Sequence, residues 1–256
     1  MAITIDIDTA RPYQVHVGTF LLEQAGQLVR ATAGGTKAVI VTDTNVGPLY
    51  QMPVKQSLEA SGYEVSICTF EAGEAHKRAE TYVAILEFVA EHELSRSDVI
   101  VALGGGVVGD VAGFVAATYM RGCKFVQIPT SLLAMVDSSV GGKTAIDLAA
   151  GKNLAGAFWQ PSVVIADVGC LATLTPERRG RQARRDRRPG AFRRAGEDPA
   201  HAGAAQPRCG PRSTHHRPQY RHQARRGRRR RARNQPAQAA QLWTQRRTRR
   251  RGLRAL

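Results

Sequence analysis

A chain of 256 residues with 43% hydrophobic content is long enough for one large domain or two small ones, with a sizeable core. The net charge of +16 would ordinarily suggest a nucleic-acid partner, but it averages two compositions: residues 1–177 carry 11 Lys and Arg against 18 Asp and Glu, net −7, whereas residues 178–256 carry 26 Arg, no Lys and 3 acidic residues, net +23. No apolar run approaches the roughly 18 residues of a membrane span, and Met1 is not followed by a signal-peptide pattern, so a cytoplasmic protein without a membrane partner is expected.

In chain order, short β-branched runs alternate with segments of helical period. Strands are predicted at Tyr13–Val17, Ala38–Thr42, Glu64–Phe70, Val99–Leu103, Phe125–Ile128 and Val163–Ala166. Between them Phe20–Arg30, Val54–Ala60, Ala79–Glu91 and Val107–Tyr119 space their apolar residues three and four apart, as amphipathic helices do. The pattern predicts an α/β fold, a Rossmann-like, open, mostly parallel sheet with ligands at the carboxyl ends of its strands. After Glu177 these signals stop. The segment 178–256 holds runs such as Arg228–Arg231 and Arg249–Arg251, little that is β-branched or aromatic, and no sustained apolar period. Such a composition cannot bury enough apolar surface to offset the entropy of ordering it, so a disordered tail is expected there. Cys68, Cys123, Cys170 and Cys209 are widely spaced and form no C-x-x-C pair, which suggests neither a disulfide framework nor a thiolate zinc site.

The strongest local feature is the strand Val99–Leu103 running into Gly104-Gly105-Gly106-Val107-Val108-Gly109-Asp110, with an apolar helix behind it. Glycines at a strand-to-helix turn let the backbone approach a pyrophosphate, and the helix N-terminus supplies unpaired N–H donors. Taken alone the cluster could equally be a tight turn with no ligand. A second glycine cluster spans Asp137-Ser138-Ser139-Val140-Gly141-Gly142-Lys143-Thr144, followed by Gly151-Lys152-Asn153. It is not a P-loop, because that motif needs a glycine five residues before Gly142 and Asp137 stands there. What remains is two lysines and an aspartate beside flexible backbone, suited to a phosphorylated or carboxylated polyol. Taken singly, Lys143 or Lys152 reads more simply as a solvated surface charge.

Together these stretches resemble one family. The run from Ala102 to Phe114, then Ala117-Thr118-Tyr119-Met120-Arg121-Gly122, then Ile128–Thr144, Gly151-Lys152-Asn153 and Gly156-Ala157-Phe158 is similar in order and spacing to 3-dehydroquinate synthases. Upstream, Gly73-Glu74-Ala75-His76-Lys77 matches that family's G-E-x-x-K loop, and the resemblance covers essentially all of residues 1–177. It implies an NAD- and metal-dependent phosphorus–oxygen lyase of the shikimate pathway, which converts a 3-deoxy-heptulosonate 7-phosphate to 3-dehydroquinate and phosphate. NAD would be held by Gly73, Glu74, Ala75, His76 and Lys77, by Gly106, Val107, Val108, Gly109 and Asp110, by Thr130 and Ser131, and by Cys170, Leu171, Ala172 and Thr173. Lys143 and Lys152 would lie close to both cofactor and substrate. Asp137, Lys143, Lys152 and Asn153 match residues placed around the substrate, the lysines meeting its carboxylate or phosphate end. Arg121 matches the arginine sent into a neighbouring subunit's site, so a homodimer is implied. The resemblance also implies zinc, or cobalt in its place, held by one Glu and two His of a helical second domain, and no matching motif follows Glu177.

That second domain would occupy well over 100 further residues, and here arginine stands in its place. Arg without Lys over such a length is what a GC-rich coding sequence yields when read out of frame. Shifting the frame by one nucleotide makes Trp243 followed by Thr244 specify glycine, and around that point Gln241–Leu253 permit Asn-Tyr-Gly-His-Asn-Val-Gly-His-Ala-Val-Glu-Ala-Tyr, the family's metal-site pattern. Arg184–Asp186 permit the Ala-Glu that precedes it, although the lysine expected soon afterwards cannot be recovered from Arg188. The repaired frame would still stop before the second metal histidine. Residues 178–256 are therefore expected to be an out-of-frame replacement of the metal-binding domain, leaving the chain without turnover and with exposed apolar surface. Two other readings stay open: a related sugar-phosphate cyclase of deoxyinosose or valiolone synthase type, and a nucleic-acid-binding protein with a basic arm, against which the absence of Lys, aromatics and helical pattern in the arm argues.

Overall fold

A computed structural model describes residues 2–174; the boundary expected at 177 and the arginine-rich segment lie outside the described residues. In chain order the elements are β1 (Ile3–Ile7), β2 (Tyr13–Gly18), α1 (Ala25–Thr32), β3 (Lys37–Asp43), α2 (Gly47–Ala60), β4 (Glu64–Phe70), α3 (Ala79–Glu91), β5 (Val99–Gly104), α4 (Gly106–Thr118), β6 (Lys124–Pro129), β7 (Lys143–Leu148), β8 (Gly151–Phe158) and β9 (Val163–Asp167). Seven strands form one sheet in the order β1-β2-β9-β6-β5-β3-β4, while β7 and β8 pair only with each other. All neighbours from β2 to β4 run parallel, and β1 closes one edge antiparallel to β2. This is the mostly parallel α/β sheet that the alternation of sequence patterns predicts.

The period of two along each central strand sorts side chains onto two faces. Ala38 and Ile40, Val99, Val101 and Leu103, Val126 and Ile128, and Val163 and Ile165 pack against α1 and α2 through Val29, Val54 and Leu58. The alternate positions Val39, Val41, Ile100, Ala102 and Phe125 pack against α3 and α4 through Ile85, Val89, Val111 and Val115. Buried on both faces, these central strands read as continuous apolar runs, and all six strands expected from the sequence fall within one residue of the observed ends.

Three expectations shift. The helix expected from Phe20 begins only at Ala25, after a short 3₁₀ turn at Leu22–Gln24, because Phe20 has a positive φ of 59° that no α-helix accepts. The helix expected from Val54 starts seven residues earlier, at Gly47; Pro53 removes one backbone hydrogen bond, but Val46 and Tyr50 before it pack on the core and hold that first part in place. The hairpin β7–β8 has no counterpart among the expected strands, since its two-residue connection, Ala149-Ala150, contains no turn-forming residue.

At the amino end of the sheet, Asp98 precedes β5 and is 3% exposed. Its carboxylate accepts the backbone N–H groups of Thr36 (2.8 Å), Lys37 (2.9 Å) and Ser95 (2.7 Å) and the Ser95 hydroxyl (2.6 Å), tying the start of β3 to the start of β5. Burial pushes its pKa up, but these hydrogen bonds outweigh burial and hold it at about 2 against an ordinary 3.8. A folded-state pKa below the unfolded one means that the stabilisation is full above about pH 4 and is lost as pH falls through about 2. Asp98→Asn is expected to cost about 2 kcal/mol in urea unfolding at pH 7, with the gap from wild type narrowing between pH 4 and pH 2. A gap that does not change with pH would refute this account of the carboxylate.

Candidate nucleotide and substrate site

From β3 the chain moves outward to β4, and from β5 it moves the opposite way to β6, so the carboxyl ends of β3 and β5 flank the point where the winding reverses. In open α/β sheets ligands bind at such a switch point. Here β5 ends at Gly104, Gly105 follows, and α4 starts at Gly106 without any side-chain cap. The first-turn N–H groups of Gly106, Val107 and Val108 have no acceptor within the helix. A Cβ on Gly105 would lie 3.5 Å from the Ser131 hydroxyl and one on Gly106 3.1 Å from that of Ser138, so two hydroxyls flank a turn kept open by missing side chains. Thr130 locks the next strand end to this turn, its N–H donating to the Gly104 carbonyl at 2.9 Å. The Val108 side chain is fully buried in the core, so only its backbone is available to a ligand.

The G-E-x-x-K loop is drawn into the same place by one lysine. Lys77 is 4% exposed, and its ammonium pairs with the Asp110 carboxylate at 2.5 Å and donates to the Asn153 side-chain oxygen. Burial raises the pKa of Asp110, with Lys77 pulling in the opposite direction. Lys152, next to Asn153, reaches back to Glu74 at 2.9 Å. Between this loop and the hairpin opens a cleft of about 560 Å³ lined by Glu74, Arg78, Glu80, Asp147 and Lys152, among others. Loop, helix α4 and hairpin, which lie up to 76 residues apart in sequence, thus meet around one ammonium group.

The remaining expected residues are placed differently. Asp137 lies exposed in a π-helical turn (Ala134–Ser138) and Lys143 is exposed at the start of β7; no salt bridge joins the two. Cys170, Leu171, Ala172 and Thr173 lie in the 3₁₀ turn after β9, where Thr173 bonds the Tyr50 hydroxyl of α2 at 2.6 Å. Cys170 is buried, and burial pushes its thiol up to about 12, so it contributes packing and backbone, not a thiolate. Gly73, Ala75 and His76 are exposed on their loop. Arg121 stands exposed in a stretch where Met120, Arg121 and Gly122 all have positive φ, at 50°, 66° and 113°. Two non-glycine residues in that region cost about 1–2 kcal/mol each, and the turn is held by Arg96 and by the Trp159 indole N–H on the Cys123 carbonyl (3.1 Å). The backbone thereby holds Arg121 exposed.

Sequence reasoning missed the end of β3. Asp43 accepts the N–H groups of Asn45 and Val46 at 2.9 Å, and Thr44 accepts from Ala72 N–H at 3.1 Å, which fixes the other rim of the switch point. The signal available was an acidic residue closing an apolar strand. Among the described residues no three or more His, Cys, Asp or Glu side chains converge to hold a metal ion, and no helix is long and apolar enough to cross a membrane.

Residues 67–181 match the family described as 3-dehydroquinate synthase N-terminal. The N-terminal part of this chain belongs to the 3-dehydroquinate synthase family. The 3-dehydroquinate synthase of Latilactobacillus sakei subsp. sakei is 49% identical over 176 residues, covering 68% of this chain and 49% of that protein. The chain spans about half the length of the curated relatives it matches. Among solved structures, a 2-deoxy-scyllo-inosose synthase complexed with carbaglucose-6-phosphate, NAD+ and Co2+ superposes with a TM-score of 0.64 at 28% identity, over 69% of this chain and 48% of that one. The 2-epi-5-epi-valiolone synthase of Streptomyces hygroscopicus subsp. jinggangensis, with NAD+ and Zn2+ bound, gives 0.62 at 28%, over 71% and 49%.

Docking of the hairpin onto the synthase-family helix α4 depends on Gly113, where a Cβ would sit 2.3 Å from the Thr144 methyl carbon. Gly113→Ala is expected to destabilise the full chain by about 1–2 kcal/mol despite its better helix propensity. Thr144→Ser, which removes that methyl, should recover part of the loss in a double-variant cycle. Additive effects in thermal unfolding would show that the contact is not the cause.

Proposed function

We propose that the described residues are the nucleotide-binding half of a 3-dehydroquinate synthase, the enzyme that converts 3-deoxy-D-arabino-heptulosonate 7-phosphate to 3-dehydroquinate and phosphate with NAD as a catalyst. The observation that carries this reading is the side-chain-free turn Gly104–Gly106 at the switch point, joined through Asp110 and Lys77 to the hairpin that bears Lys152 and Asn153. The turn fits a pyrophosphate, because only glycine leaves backbone N–H groups open beside Ser131 and Ser138. Bound NAD would supply a transient hydride acceptor for a substrate hydroxyl, which acidifies the neighbouring carbon so that phosphate can leave. The chain's own residues would do the rest: Gly106–Asp110, Thr130, Ser131, the Gly73–Lys77 loop and Cys170–Thr173 hold the nucleotide, while Asp137, Lys143, Lys152 and Asn153 orient an anionic sugar phosphate. Arg121, held outward, suits insertion into a second copy, so a homodimer is part of the proposal, as is a cytoplasmic setting. Dehydroquinate synthase is preferred to the inosose and valiolone cyclases because the identity is 47–52% against 28%.

The metal, zinc or cobalt, has no ligand set among the described residues, so no step is assigned to it on this chain. We further propose that residues 178–256 are the second domain read out of frame, whether through a sequencing error or in a pseudogene. Nucleotide sequence across the codons for Leu174–Arg188 is expected to restore a synthase frame on adding or removing one base; a frame that stays arginine-rich either way, with the full chain binding DNA in a salt-dependent manner, would favour the basic-arm reading instead.

Two measurements on the full chain test the rest. NAD+ should bind in equilibrium dialysis, and Gly106→Val, which fills the turn, should weaken it by about tenfold or more. Phosphate release from the heptulosonate phosphate, glucose 6-phosphate or sedoheptulose 7-phosphate should be undetectable. Metal-dependent release from any of them would overturn the assignment of the catalytic metal to an absent domain.

A further inference from the structure

We propose that Lys77 is a positioning residue that locks the hairpin β7–β8 to helix α4. The proposal rests on the reading above only for naming the two sides it joins. The pairing of β7 with β8 runs regularly from Lys143↔Phe158 to Ile146↔Ala155 and then breaks between Ile146 and Leu148. Asp147, at the break, turns its hydrogen bonds elsewhere. Its N–H donates to the Lys77 carbonyl at 2.7 Å, and its carboxylate accepts the N–H of Asn153 at 2.8 Å. The Lys77 ammonium then closes the loop by donating to the Asn153 side-chain oxygen while paired with Asp110. The tip of the hairpin is therefore fastened through both the main chain and the side chain of a residue from outside it.

Asn153 holds a positive φ of 56°, a conformation asparagine tolerates better than most residues but that still needs support. Its N–H and its side-chain oxygen are both engaged in this knot, which fixes the orientation of its side chain and the course of the chain at Lys152. Bulges next to functional residues serve to re-aim side chains in this way. On the other side, the same ammonium offsets the burial that raises the pKa of Asp110, one turn into α4 beyond the glycine turn. Buried at 4% exposure, the Lys77 ammonium thus has one acceptor on each side of the site. Its consequence for function is that the nucleotide side and the hairpin side of the site cannot move independently.

Amide hydrogen exchange on the full chain, without ligand, tests this. In Lys77→Met the amides of Asp147 and Asn153 should exchange at least about tenfold faster while those of β5 keep wild-type protection, and Lys77→Arg, which keeps the charge, should restore part of it. A merely structural lysine would instead lower protection in β5 and the hairpin together. If Lys77→Met does lose β5 protection, Asn153→Gly decides, since it removes the exposed acceptor while glycine accepts the positive φ: faster exchange at Asp147 with β5 unchanged supports the lock, and wild-type exchange at Asp147 overturns it. Failure of NAD+ to bind wild-type protein would sink the functional reading and leave this result standing.

Discussion

Everything at this site follows from how abruptly β5 becomes α4. A strand buried on both faces, Val99–Gly104, ends in three glycines, and the helix begins with no intervening loop. A side chain at the first of them would collide, since a Cβ on Gly104 would lie 2.5 Å from Val108. Because the turn is bare, α4 packs close to the sheet, its first N–H groups stay unclaimed, and Gly113 lets the hairpin lie on the helix's far side. One backbone constraint therefore sets both the open glycine turn and the seat of the hairpin β7–β8.

The sheet was legible because its central strands are buried on both faces, which turns burial into unbroken apolar runs such as Val99-Ile100-Val101-Ala102-Leu103. The hairpin was not, because its strands are half exposed, its turn carries no turn residue, and its glycines and lysines read as loop. For the site, the glycine turn was legible as chemistry and as a family motif. The role of Lys77 was not. Nothing in Gly73–Lys77 says that its lysine is buried, since that depends on Asp110 and Asn153 arriving from 33 and 76 residues away. Asp43 was missed for a similar reason: a strand-final aspartate acquires meaning only once β3 is known to neighbour β5 at the point where the winding reverses.

The distribution of charge across the described residues also explains what this half can do alone. It gathers cations, Lys77, Lys143 and Lys152, on or beside a hairpin suited to an anionic ligand, and it offers main-chain donors at α4. It gathers no cluster able to hold a divalent ion. Of the described cysteines Cys123 and Cys170 are buried and Cys68 is half-buried, and their thiols are pushed up to about 11 or 12, so they supply no thiolate nucleophile. Cationic and main-chain donors are thus assembled here, whereas a metal-holding cluster is not among the described residues.

Arg121 carries that division one step further. Three consecutive positive φ values are an expensive way to end α4, and the turn is secured from Arg96, Trp159 and the Ala116 carbonyl. Strain of this kind persists where the surroundings over-determine it, and here they hold an arginine exposed. The same Trp159 donates its backbone N–H to the Gly142 carbonyl, beside Lys143, so one tryptophan fixes both the turn that exposes Arg121 and the start of the strand that carries Lys143. The turn that exposes Arg121 consequently depends on Trp159, next to the end of β8, as much as on the helix it follows.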